Sequence, residues 1–100
     1  MLLPPTPPAR VQVVAREFSF ALSRPALKAG KAIVELANFG EDPHDLRLQR
    51  IGGSKVYGLP VQQAGGVADL KLTLLRGRYR VWCSLADHRA RGMIATLVVR

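Results

Sequence analysis

From Val11 onward, apolar and polar residues alternate in short runs bounded by turn residues, the period of two that a half-buried β-strand imposes. Phe18, Phe20 and Leu22 alternate with Glu17, Ser19 and Ala21 until Pro25 interrupts, and Lys28-Ala29-Gly30-Lys31 is a turn signal. Ala32 to Phe39 reads as a strand, with Val34 and Leu36 on one face and Glu35 on the other. Leu46 and Leu48 alternate with Arg47 and Gln49 as far as Gly52-Gly53, and Leu70, Leu72 and Leu74 alternate with Asp69, Lys71 and Thr73. Beyond the turn at Arg76-Gly77, Tyr79, Val81 and Cys83 share a face opposite Arg78, Arg80 and Trp82, and the chain closes on an apolar run from Met93 to Val99. The glycine-rich stretch Ile51 to Val67, which contains Pro60, reads as a long connection with room for a short helical turn. Short strands separated by turns at this density predict an all-β fold, a Greek-key β-sandwich of seven to eight strands.

The opening MLLPPTPPAR carries Pro4, Pro5, Pro7 and Pro8, which favour an extended polyproline II path and remove backbone donors. Residues 1–10 therefore read as a Pro-rich linker or extension, too proline-broken for a secretory signal, ahead of one domain at 11–100. A chain of 100 residues, 48% of them hydrophobic, can bury one modest core and is too apolar for a disordered basic tail. No apolar run approaches the roughly 20 residues of a membrane-spanning helix. A single cysteine excludes an intramolecular disulfide, and two His with one Cys cannot furnish a zinc ribbon. Fifteen Lys and Arg, eleven of them Arg, against seven acidic residues give a net charge of +8.

The scarce residues are grouped. Cys83, His88 and Met93 fall in one run with four residues between each pair, and His44 follows Pro43 about forty residues upstream. Each alone has an ordinary reading, since a lone buried His is usually structural and a lone Cys an inert small hydrophobe. Together they make a soft ligand set. Thiolate and thioether suit Cu(I), imidazole also suits Cu(II), and two His with one Cys and a weak Met form an electron-transfer copper site. Parity turns Cys83 inward with Tyr79 and Val81, and His44 inward with Leu46 and Leu48. A loop from Ser84 to Gly92 can bring His88 and Met93 over the same end, with Gly92 supplying the tight return.

Asn38-Phe39-Gly40-x-x-Pro43-His44-Asp45-Leu46, then Gly77-Arg78-Tyr79-x-x-x-Cys83 and the Cys…His…Gly-Met run, resemble the cupredoxins, or blue copper proteins, of plastocyanin-like and rusticyanin-like type. Phe18-x-Phe20…Pro25…Lys28-Ala29-Gly30 matches their opening strands, so the resemblance spans roughly residues 11 to 100. It implies that His44, Cys83 and His88 are equatorial ligands and Met93 the axial ligand of one type 1 copper. The implied role is one-electron transfer between Cu(I) and Cu(II), with no enzymatic chemistry, in a periplasm or at a cell surface. A copper storage or delivery module with the same ligands is the alternative. Two positions depart from the pattern. Asp45 stands where many relatives have an Asn that ties the ligand loops together, and Asp87 stands where Gly is common. Both place negative charge near the metal, which favours Cu(II).

Other chemistries fit less well. A paired copper centre needs two cysteines, a multicopper oxidase needs more His and more domains, and no nucleophile elbow or phosphate-binding loop is present. Arg78, Arg80 and Trp82 share a strand face, and Arg89 and Arg91 flank His88. That charge reads either as a solvated face or as a docking surface for an acidic redox partner. Trp82, bonded directly to Cys83, marks a conceivable surface route for the electron. Nucleic acid is a poor partner, because one Trp is a thin stacking platform and the ligand set would go unused.

Overall fold

The computed structural model describes residues 6–100, so Met1 to Pro5 of the Pro-rich segment lie outside them. In chain order the strands are β1 (Ala9–Arg16), β2 (Ser19–Leu22), β3 (Ala26–Leu27), β4 (Gly30–Asn38), β5 (His44–Arg50), β6 (Val56–Gln62), β7 (Val67–Leu74), β8 (Gly77–Trp82) and β9 (Ile94–Val99), with one short helix, α1 (His88–Arg91), before β9. Two sheets result, one ordered β2-β1-β4-β7 and the other β3-β9-β8-β5-β6. The chain changes sheet on entering and leaving β3, between β4 and β5, between β6 and β7, and again between β7 and β8, which closes the predicted sandwich.

Pleat alternation decides which residues face inside. Val11, Val13 and Ala15 of β1 are buried, as are Tyr79, Val81 and Cys83, whereas Arg78 and Arg80 face solvent. Leu36, Leu46, Leu48, Leu74 and Leu97 join them in one core between the sheets. At about 1.5–3 kcal/mol for each fully buried aliphatic side chain, these positions supply most of the drive to fold. On β7, Leu74 is buried but Leu70 and Leu72 are half-exposed, because β7 is an edge strand with a neighbour on one side only.

Three local expectations change. First, residues 51–67 are not a plain connection. β6 pairs antiparallel with β5 through Leu48↔Tyr57 and Leu46↔Leu59. Gly58 and Pro60 mask the alternation of Tyr57 and Leu59. Pro60 is tolerated because β6 is the sheet edge, and a side chain at Gly58 would overlap the Arg47 guanidinium. This strand and the two-residue β3 bring the count among the described residues to nine, against the seven to eight expected. Second, β1 begins at Ala9, two residues into the expected extension, because Ala9 and Arg10 already pair with Ala32 and Ile33. Third, Glu17 and Phe18 are not strand residues. Arg16 pairs with Ser19, so the two between them form the turn and leave the pleat.

Leu36 is fully buried at the middle of β4, between β1 and β7. Leu36→Ala is expected to lower the stability of the metal-free protein by about 2–5 kcal/mol, read from chemical denaturation.

Candidate metal centre

The site is built where β4 hands over to β5. Asn38, the last residue of β4, is fully buried and donates from its amide to the carbonyls of Asp42, at 2.8 Å, and Gln62, at 2.9 Å. Its carbonyl oxygen accepts from the Gly40 N–H at 2.9 Å. One side chain thus pins the whole 39–43 loop and sets where His44 begins β5. The β5–β6 register then slips between His44 and Leu46. His44, Asp45 and Leu46 are all buried at that bulge.

The second loop is closed by its own backbone. Cys83, just past the end of β8, donates its N–H to the Met93 carbonyl at 3.1 Å, and the Met93 N–H donates to the His88 carbonyl at 3.0 Å. His88 opens the single turn of α1. Gly92 has φ of +129°, the region that favours glycine, so it provides the tight return expected of it. Asp45 joins the two loops, accepting from the Ser84 N–H at 2.7 Å and from the Ser84 hydroxyl. Asp therefore performs the tie anticipated for Asn at this position. Its charge is balanced in part by Arg47 at 3.5 Å, and the charge of Asp87 by Arg91 at 2.7 Å.

These loops bring the three strong donors together. One donor atom each from His44, Cys83 and His88 lies within 4.8 Å of the others, and Cys83 Sγ is 3.6 Å from His88 Nδ1. The two imidazoles stand 5.0 Å apart, centroid to centroid. His44 and Cys83 are fully buried, and His88 is half-buried. Met93 is buried beside them in sequence and backbone bonding.

A test of fit comes from His44. Its Nε2 lies 3.1 Å from Glu17 Oε1, an acceptor that favours the ring proton on Nε2. Its Nδ1 is then a bare lone pair, and it is the one buried side-chain polar atom without a hydrogen-bond partner among the described residues. Leaving such an atom unpaired costs about 1–3 kcal/mol, which a cation at the cluster would remove. A lone pair, a sulfur and a second imidazole suit a borderline-soft metal ion. Burial pushes the Cys83 thiol up, against the pull of the Leu85 and Asp45 N–H groups at its sulfur. A metal at the site therefore displaces a thiol proton.

Two neighbours escaped the sequence reading. Glu17 also accepts from the Glu41 and Asp42 N–H groups, and the Asp42 N–H is the main reason its carboxyl lies below the ordinary value. Phe18 stands 5.0 Å from the His88 ring, beneath the Arg91 guanidinium at 4.8 Å. The available signal was slight: Glu17 is the only acidic residue before Glu35.

No protein-family model and no curated protein matches the sequence. Solved structures do match. Auracyanin A, described as a "blue" copper protein from Chloroflexus aurantiacus, aligns over 94% of this chain and 100% of its own at 15% identity, with a TM-score of 0.74. Auracyanin B aligns over 98% of this chain and 93% of its own at 19% identity, also with a TM-score of 0.74. A purple cupredoxin from Nitrosopumilus maritimus aligns over 89% and 98% at 19% identity, with a TM-score of 0.62. The chain has the cupredoxin fold. Likeness at these identities is a likeness of fold, so the metal chemistry of this cupredoxin-fold chain rests on its own His44, Cys83 and His88.

Asp45→Ala removes the acceptor of both Ser84 bonds. It is expected to cost about 1–3 kcal/mol and to speed amide exchange at Ser84, whereas Asp45→Asn, which keeps one acceptor oxygen, is expected to retain most of the protection.

Proposed function

We propose that this protein is a single-electron carrier that holds one type 1 copper through His44, Cys83 and His88, with Met93 as the weak axial ligand. The observation that carries the reading is one donor atom each from His44, Cys83 and His88 within 4.8 Å, on a His44 whose Nδ1 is buried and without a hydrogen-bond partner. Copper bound there supplies reversible one-electron chemistry between Cu(I) and Cu(II). Cys83 provides an anionic sulfur once its proton leaves, with the Leu85 and Asp45 N–H groups directed at it. The Asn38 and Asp45 hydrogen bonds hold the donor loops against movement, so neither oxidation state obtains its preferred geometry by rearranging the protein. Full burial of His44 and Cys83 excludes water and favours holding the ion over handing it on, which supports the carrier over a storage or delivery role.

His88 is the one strong donor that is not fully buried, and it marks the port through which the electron passes. Around that end, Arg91 lies over Phe18 at 4.8 Å, Arg89 over Trp82 at 4.9 Å and Arg16 over Phe39 at 5.5 Å. Guanidinium groups seated on aromatic plates give an apolar surface with a cationic rim, suited to a redox partner with an acidic docking face. No helix among the described residues is long and apolar enough to cross a membrane. The reading places the protein outside the cytoplasm, where carriers of this fold meet their partners.

Adding Cu(II) to the metal-free protein is expected to give a deep blue thiolate-to-copper charge-transfer band that bleaches and returns on reduction and reoxidation. Cys83→Ser is expected to keep the fold and lose the colour. A colourless wild-type complex would sink the proposal.

Charge at the port is tested with small redox probes. Arg89→Glu with Arg91→Glu is expected to slow oxidation by the anion hexacyanoferrate(III) by about tenfold at low salt, with the difference from wild type closing at high salt.

A further inference from the structure

We infer that the β1–β2 turn, Glu17-Phe18, is a third loop of the metal centre, in which Glu17 is a positioning residue that keeps His44 Nδ1 free for the metal and biases the site toward its higher oxidation state. The inference rests on the copper reading above.

The geometry singles out Glu17 from an ordinary surface carboxylate. One oxygen, Oε1, faces His44 Nε2 at 3.1 Å and also accepts from the N–H groups of Glu41 and Asp42. A Cβ at Gly40 would overlap the Glu17 carboxyl group, so a larger residue there would push that side chain from its place beside the 39–43 loop. Neither ring nitrogen of His44 has another hydrogen-bond partner among the described residues. A neutral imidazole with no such partner distributes its proton between both nitrogens, and the Nδ1–H form occupies the one ring nitrogen that Glu17 leaves free. A charge-assisted bond at Nε2 removes that ambiguity before any metal arrives.

The same turn reaches the other histidine. The Phe18 ring lies 5.0 Å from the His88 ring, tilted at 50°, and its carbonyl oxygen would be 2.8 Å from a Cβ at Gly92. Two adjacent residues thus touch both ligand-bearing loops, Glu17 on the His44 side and Phe18 on the His88 side.

Charge is the second consequence. The oxidised ion carries one more positive charge than the reduced one, and an anion hydrogen-bonded to a ligand ring stabilises that extra charge. The Glu17 side chain is 27% exposed, so solvent weakens the effect without abolishing it.

The decisive comparison uses the 100-residue protein with Glu17→Gln and Glu17→Ala. Gln keeps a neutral acceptor oxygen in place, and Ala removes the acceptor altogether. In metal-free protein, nitrogen NMR of the His44 ring is expected to show the Nε2–H form alone in wild type and in Glu17→Gln, and a mixture of tautomers in Glu17→Ala. Competition with chelators for Cu(I) and for Cu(II) then gives the ratio of the two affinities. Glu17→Gln is expected to shift that ratio toward Cu(I) by about threefold to tenfold, tenfold being 59 mV for one electron. Glu17→Ala is expected to weaken binding of both ions by about 10–100-fold. A single Nε2–H tautomer in Glu17→Ala overturns the positioning role, and an unchanged affinity ratio in Glu17→Gln overturns the bias. Should Glu17→Ala fail to fold, a wild-type His44 that does not carry its proton on Nε2 overturns the positioning role by itself. The tautomer is read without metal, so a failure of the copper reading, seen as a colourless Cu(II) complex, is distinguishable from a failure of this one.

Discussion

The structure turns on one buried ring. His44 must be taken out of water with one nitrogen satisfied and the other left bare, and nearly every irregular feature at this end of the sandwich serves that condition. The bulge in β5 turns the ring inward without exposing Asp45. The Asn38 amide anchors the loop that delivers it, and Glu17 satisfies its outer nitrogen. Leaving Nδ1 bare is locally unfavourable, and the surrounding sheets tolerate it because their own polar groups are paired.

Asn38 and Asp45 show how that tolerance is arranged. Both are buried polar residues, a costly placement unless each hydrogen-bonding atom finds a partner. Asn38 uses both ends of its amide, and Asp45 uses both oxygens on Ser84. Asn38 closes its own loop and reaches Gln62, and Asp45 reaches Ser84 across 39 residues, so satisfying the polar groups also fixes the two donor loops. Removing a partner from such a network leaves a buried group stranded, which is why these positions specify geometry more sharply than an apolar contact of similar area.

Much of this was legible in the chain. Period-two alternation placed Tyr79, Val81 and Cys83 inside, and the concentration of rare donors between Cys83 and Met93 pointed to one site. Strand β6 was hidden because Gly58 and Pro60 weaken the local alternation, and their use depends on an edge position that only the sheet order reveals. The β5 bulge was hidden for a similar reason. Parity correctly turned His44 inward, but nothing local shows that Asp45 follows it into the interior. Glu17 and Phe18 were read as strand residues because they continue an alternating run. Their departure from the pleat follows from the Arg16↔Ser19 pairing, and the partners they meet, His44 and His88, lie 27 and 70 residues away.

The donors are also divided by the kind of structure that carries them. His44 and Cys83 sit at strand ends, buried and tied to the sheets, where the core resists displacement. His88 sits on α1, a single helical turn with no buried residue of its own, held by its backbone bonds to Leu85 and Met93 and by the Phe18 ring. The proposed carrier role needs both conditions at once, a rigid interior so that changing the charge on the ion moves little, and one donor near enough to solvent for an electron to cross. Placing the half-buried donor on the least buried element, then bracing it from a turn that also holds a fully buried one, fits both demands without opening the core.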